Sequence, residues 1–177
     1  LARNHSHSLE DLQKNAWLEQ IAILKKQLSE MCDGHLLFEY AIPRMGKRVD
    51  NIILTDGVIF VIEFKIGEQR YPLYALDQVL DYALDLKNFH DQSHTKKIVP
   101  ILVSTNAPVY INVIQPYGDS VFQPLRANKD NLWNLISWVT SEHKDGELDA
   151  AQWQQSIYKP TPTIIEAAQA LYKGHSV

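Results

Sequence analysis

The sequence predicts an α/β fold of the α+β kind, a mixed sheet with flanking helices, in the order helix, three strands, helix, two strands, followed by C-terminal helices. Three observations lead there. Apolar residues recur at helical spacing in the first thirty positions and again after Pro72. Between them stand three extended runs, LLFEYAI, RVDNIILT and VIFVIEFK, rich in β-branched and aromatic side chains. Turn chemistry at Pro43, Gly46 and the pair Asp56-Gly57 separates these runs.

The elements follow in order. The opening LARNHSHSLED lacks a methionine and reads as a cut edge. Ser8 and Asp11 have capping-box spacing, which predicts a helix from there to about Met31. Trp17, Ile21, Leu24 and Leu28 would face the core, and Lys25, Lys26 and Gln27 would face water. After the three strands, Leu76, Val79, Leu80 and Ala83 form the apolar stripe of a second helix. KIVPILVS and VYINVI then predict two further strands. Residues 129–142 and a stretch after Asp149 read as helical. KPTPT reads as a proline-stiffened connector before a last helix ending at Gly174.

The 177 residues suit one domain with a core of its own. A hydrophobic share of 45%, a charged share of 21% and the lack of low-complexity tracts argue against disorder. Cys32 has no internal disulfide partner, and no segment reads as a secretory signal or a membrane span, so the expected setting is cytoplasmic with no membrane contact. A net charge of -4 argues against a nucleic-acid coat protein, which needs a basic excess. It leaves room for an enzyme whose carboxylates hold a divalent cation. Phosphate-loop patterns, cysteine pairs and HExxH spacing are all missing, which removes nucleotide-binding and zinc readings. The histidines read as surface or capping residues, with His90 and His94 favoured as helix-end caps.

The chemistry gathers on a hairpin. Asp56-Gly57 between two strand-like runs signals a two-residue turn, and such a turn fixes register. If Thr55 faces Val58, then Leu54 meets Ile59, Ile52 meets Val61, and Asp50 meets Glu63. Opposed residues have Cβ atoms roughly 4.5 to 5.5 Å apart, where like charges are destabilising unless something cancels them. A divalent cation would do so. Period-two alternation puts Lys65 on the face of Glu63, beside the apolar strip Ile52, Leu54, Ile59 and Val61. The plainer reading makes Asp50 and Glu63 surface partners of Arg48 and Lys65, but VIFVIEFK is apolar enough for an interior strand, where an unpaired charge is costly.

Asp50, followed by Glu63-Phe64-Lys65 at the end of a hydrophobic strand, resembles the PD-(D/E)xK nuclease superfamily. Gln78 and Tyr82, on one face of DQVLDY, resemble the QxxxY helix motif of its RecB-like members. Val49 stands where the family name has proline. The resemblance implies a restriction-endonuclease-like α-βββ-α-β core and Mg2+ (or Mn2+) held by Asp50, Glu63 and the backbone carbonyl of Phe64. It also implies a water-activating Lys65, a positioning Gln78 and a partly structural Tyr82. Glu39 or Glu19 would complete the metal shell, and Arg44 and Arg48 are candidate phosphate clamps.

FEYAIPRMGKRVDNIIL, VIEFK, DQVLDYALDLKNFH and YKPTPTIIEAAQALY resemble the region before the motor in bacterial DNA/RNA helicase-domain proteins. That implies a nuclease-like domain over residues 1–158, a connector over 159–177, and a helicase domain following in the parent chain. The expected activity is hydrolysis of nucleic-acid phosphodiesters, DNA before RNA. One alternative is a catalytically silent nucleic-acid-binding or regulatory module of that helicase. Another is a protein-interaction domain, suggested by Trp133, Trp138 and Trp153.

Overall fold

The computed structural model describes residues 2–43 and 45–174. Among these the fold is α+β, with five helices and a mixed seven-stranded sheet. Helix α1 (Ala2–Gln27) precedes strands β1 (His35–Ile42), β2 (Lys47–Thr55) and β3 (Val58–Lys65). Helix α2 (Leu73–Phe89) leads to β4 (Ile98–Ser104) and three short strands, β5 (Pro116–Gly118), β6 (Val121–Phe122) and β7 (Leu125–Ala127). Helices α3 (Leu132–His143), α4 (Ala150–Gln154) and α5 (Pro162–Gly174) follow.

The order across the sheet is β1-β2-β3-β4-β6-β5, with β7 also paired to β4. β1, β2 and β3 form an antiparallel meander, and β4 joins β3 in parallel. A parallel neighbour requires a crossover, and α2 provides it. The hairpin register is the one the turn predicts, running from Thr55 against Val58 to Asn51 against Ile62. Asp56 and Gly57 both have positive φ, at 51° and 76°, as a two-residue turn of this kind needs. Glycine is required at the second position, because a Cβ there would collide with the backbone carbonyls of Asp145 and Gly146.

Alternation along β2 and β3 divides the core. Ile52, Leu54, Ile59 and Val61 pack beneath α2 with Trp153. Ile53, Phe60, Ile62 and Phe64 pack on the other face against Ile23 and Leu24 of α1 and Ile136 and Val139 of α3. β3 is buried from Val58 to Phe64, as an interior strand must be.

Several expectations need correction. Helix α1 begins at Ala2, well ahead of Ser8, and ends at Gln27, short of Met31. Trp17, expected in the core, is 45% exposed, while Gln27, expected in water, is buried and accepts the Trp133 backbone N–H. VYINVI is not a strand: the edge of β4 is taken by β6 and β7. Asn112 bonds both the N–H and the carbonyl of Arg126, so a side chain does there what a strand's backbone would have done. Trp153 is wholly buried, and Trp133 and Trp138 are partly buried against the core.

Candidate active site

The candidate residues meet at one end of β2 and β3, under the first half of α2. Asp50 is on β2, one residue beyond the last paired position, Asn51. Its Oδ2 accepts the Phe64 backbone N–H at 2.7 Å, so a carboxylate takes the place of a ladder bond. Glu63 is 6% exposed; its Oε1 accepts from Lys65 Nζ at 3.0 Å, and its Oε2 is buried with no hydrogen-bond partner. Lys65 Nζ also donates to Gln78 Oε1 at 3.2 Å, and Gln78 Nε2 donates to the Tyr82 hydroxyl at 2.8 Å. Asp50, Glu63, Lys65, Gln78 and Tyr82 therefore form one neighbourhood, the last four in a continuous hydrogen-bonded chain.

The two carboxylates have perturbed acidity. Burial raises Glu63 to about 7, the nearby Asp50 charge adds to the rise, and the Lys65 ammonium opposes it. Burial also raises Asp50, while the Phe64 N–H works against that shift. Burial raises the Tyr82 phenol. A buried acid with an orphaned oxygen is costly unless a proton or a cation is taken up there.

Glu39 adds a third acid. The β1–β2 register pairs Phe38 with Asn51 and Tyr40 with Val49, which brackets Glu39 and Asp50 at the same level of the sheet without pairing them. Pairing is interrupted there because Glu39 has φ +49°, a left-handed conformation rare outside glycine. Its charge raises both Asp50 and Glu63. Glu39 remains well exposed and sits 4.0 Å from Arg48. Between the two expected third acids, Glu39 lines the site and Glu19 does not. Glu19 is exposed on α1, and its neighbour Gln20 turns inward to donate to Asn51 Oδ1. Arg48 is a surface partner of Glu39, its side chain 69% exposed. Arg44 lies outside the described residues.

A cleft of about 1020 Å³ opens over Asp50, Phe64 and Lys65. One wall is a stripe of α1, including Lys14, Trp17 and Gln20, and the other includes Tyr74 from the first turn of α2 and Glu68. Sequence reasoning missed this α1 wall, because periodicity shows that a helix has a stripe without saying what the stripe meets. The Glu68 carboxylate accepts from the backbone N–H groups of Gln69 and Arg70 and orders the loop between β3 and α2. His90 is the C-cap of α2, its backbone N–H bonded to the Leu86 carbonyl, in keeping with the expected helix-end role.

Among the described residues, no three His, Cys, Asp or Glu side chains converge as a metal-ligating group. The candidate donors left are the Asp50 and Glu63 carboxylates and main-chain carbonyls. That set still suits a hard cation such as Mg2+, which is commonly held by one or two carboxylates with water and substrate phosphate completing the shell. The orphaned Glu63 Oε2 is the observation that fits such an ion. No helix among the described residues is long and apolar enough to cross a membrane. Comparison with known protein families, curated proteins and solved structures finds no match.

Proposed function

We propose that this chain is a metal-dependent nuclease domain of the PD-(D/E)xK type, hydrolysing phosphodiester bonds of nucleic acid, with DNA favoured. The finer fold assignment, a restriction-endonuclease-like α-βββ-α-β core, belongs to the same proposal, as do a cytoplasmic setting and a helicase motor attached downstream. The observation that carries it is the buried Glu63 with its unpartnered Oε2, hydrogen-bonded through Oε1 to Lys65, which with Asp50 lines an open cleft. Burial, like charge and a lysine within hydrogen-bond reach are how proteins prepare acids for chemistry.

Asp50, Glu63 and the Phe64 carbonyl would hold Mg2+ or Mn2+, hard cations that take oxygen ligands. When bound, the ion supplies Lewis-acid charge that acidifies water and offsets charge on the phosphate. Lys65 is aimed from two sides, by Glu63 and Gln78, so its ammonium is fixed without rotamer search. With a cation on the Glu63 carboxylate, the Lys65 ammonium would be available to hold an attacking water or a phosphate oxygen. Gln78 anchors Lys65 and is itself anchored by Tyr82.

The test is cleavage of single-stranded and duplex DNA and of RNA with Mg2+ or Mn2+, by wild type beside Asp50→Ala and Lys65→Ala. Metal-dependent cleavage lost in both variants is expected, and equal residual cleavage in all three would refute the assignment. A second reading, a catalytically silent nucleic-acid-binding or regulatory module, is favoured by the lack of a three-ligand group among the described residues. Calorimetry separates them: Asp50-dependent heat of Mn2+ binding supports the nuclease, and its absence supports the silent module.

A further inference from the structure

We propose that the cleft between α1 and α2 selects unpaired nucleotides, stacking a base against Trp17 and Tyr74. The choice of nucleic acid as ligand rests on the nuclease reading, whereas the stacking rests on the cleft itself. Trp17 and Tyr74 are 45% and 64% exposed, and both line the same cleft, one from α1 and the other from the first turn of α2. A single exposed aromatic is ordinary. Two that flank an opening whose floor is Asp50 and Lys65 form a platform at the point of chemistry. The aromatic wall adjoins the reactive groups, since Lys65 Nζ is 5.8 Å from the centroid of the Tyr74 ring.

Charge decides between ligand forms. The cleft lining carries Glu10, Glu39, Asp50 and Glu68 against Lys14 and Lys65, so it repels phosphate on balance. Without metal, affinity gained by phosphate neutralisation, which dominates binding of duplexes, is therefore small in this cleft. Stacking on aromatic rings is available, and it needs a base with a free π-face. A duplex keeps those faces inside its own stack and presents only base edges and backbone. Single strands, frayed ends and flaps offer them, and every base qualifies, so selection is for strandedness and not for sequence.

The experiment is fluorescence anisotropy of short labelled oligothymidylate, oligouridylate and a hairpin duplex, titrated with metal-free protein so that no cleavage intervenes. Trp17→Ala and Tyr74→Ala are each expected to weaken single-strand binding by about 5- to 100-fold. Duplex binding should be weaker from the start and unmoved. Trp17→Phe, which keeps a ring, should restore most of the loss, and Tyr117→Ala, an exposed aromatic on the remote strand β5, should change nothing. The deoxy and ribo arms read the sugar preference of the same site. Single-strand binding equal in wild type and both alanine variants, or duplex binding as tight as single-strand binding, overturns the proposal. Either result leaves metal-dependent cleavage untouched, and a wild type that stacks single strands but never cuts them refutes only the nuclease reading.

Discussion

Helix α2 covers two buried polar clusters, one in its first half and one at its end, and they solve the same problem differently. At the first, Gln78 and Tyr82 reach Lys65 and, through it, Glu63. At the second, His90 Nδ1 lies 2.7 Å from Ser93 Oγ, which also accepts the Trp153 indole N–H at 2.8 Å. The rings of His90 and Trp153 pack 4.4 Å apart, with Tyr40 and Tyr158 around them. The His90 cluster is mostly aromatic, and burial lowers the imidazole to about 4 so that it stays uncharged; its Nε2 is buried without a hydrogen-bond partner, and the Asp85 carboxylate acts on Tyr158 at its rim. The Glu63 cluster keeps charges, has an orphaned oxygen and opens to a cleft. Each cluster holds a buried polar atom without a partner, so the difference is charge and access: an uncharged imidazole among aromatic rings serves stability, whereas a carboxylate–ammonium pair whose lysine lines a cleft is a place for a ligand.

The comparison breaks most visibly at Glu63. Glu63→Gln should cut metal-dependent cleavage by about a hundredfold or more, since a ligand to the ion is lost, while the metal-free protein melts no lower than wild type. A parallel fall in cleavage and melting temperature would make Glu63 structural. Next in size, Trp153→Ala removes a wholly buried indole and the donor to Ser93, and should cost about 3–5 kcal/mol by denaturant unfolding. Its Mn2+ affinity, measured below the unfolding midpoint, should stay within about twofold of wild type.

The two clusters should also respond to pH with opposite sign. Between about 4.5 and 7 folded Glu63 holds a proton that the unfolded chain has released, so its contribution to metal-free stability is lost as pH rises. Between about 4 and 6.5 unfolded His90 takes a proton that the folded protein refuses, so its contribution is lost as pH falls. In wild type the slopes largely cancel. Glu63→Gln should expose the rise with pH and His90→Asn the fall, each by about 1–3 kcal/mol in denaturant titrations with chelator present. Identical pH profiles in all three proteins would refute both assignments. The smallest effect belongs to Tyr82→Phe, which removes the Gln78 partner: about 0.5–1.5 kcal/mol of stability and a few-fold in cleavage, checked by melting and by initial rates.

Much of this arrangement was legible in the sequence because short-range rules govern it. Asp56-Gly57 fixes the hairpin, and the hairpin brings Asp50 to Glu63 and Phe64. The i, i+4 spacing of Gln78 and Tyr82 puts their side chains in contact. What depends on distant partners was not legible. Nothing local to VYINVI says that β6 and β7 take the edge of β4, and nothing in the α1 stripe says that Trp17 looks onto a cleft instead of a core. That Glu39 lines the cleft, and Glu19 does not, depends on how β1 and α1 are placed around it, which has no sequence signature.

The hairpin also has a consequence for the order in which the molecule assembles. The Asp50–Phe64 bond closes over only 14 positions, whereas Gln20 reaches Asn51 across 31 and Gln27 reaches Trp133 across 106. Short loops close early and at small entropic cost, and a hairpin forms in about 1–10 μs. The Asp50–Phe64 contact is thus expected to form before the α1 wall arrives, so the residues proposed to hold a cation would meet while still open to solvent, and the cleft would close around them afterwards.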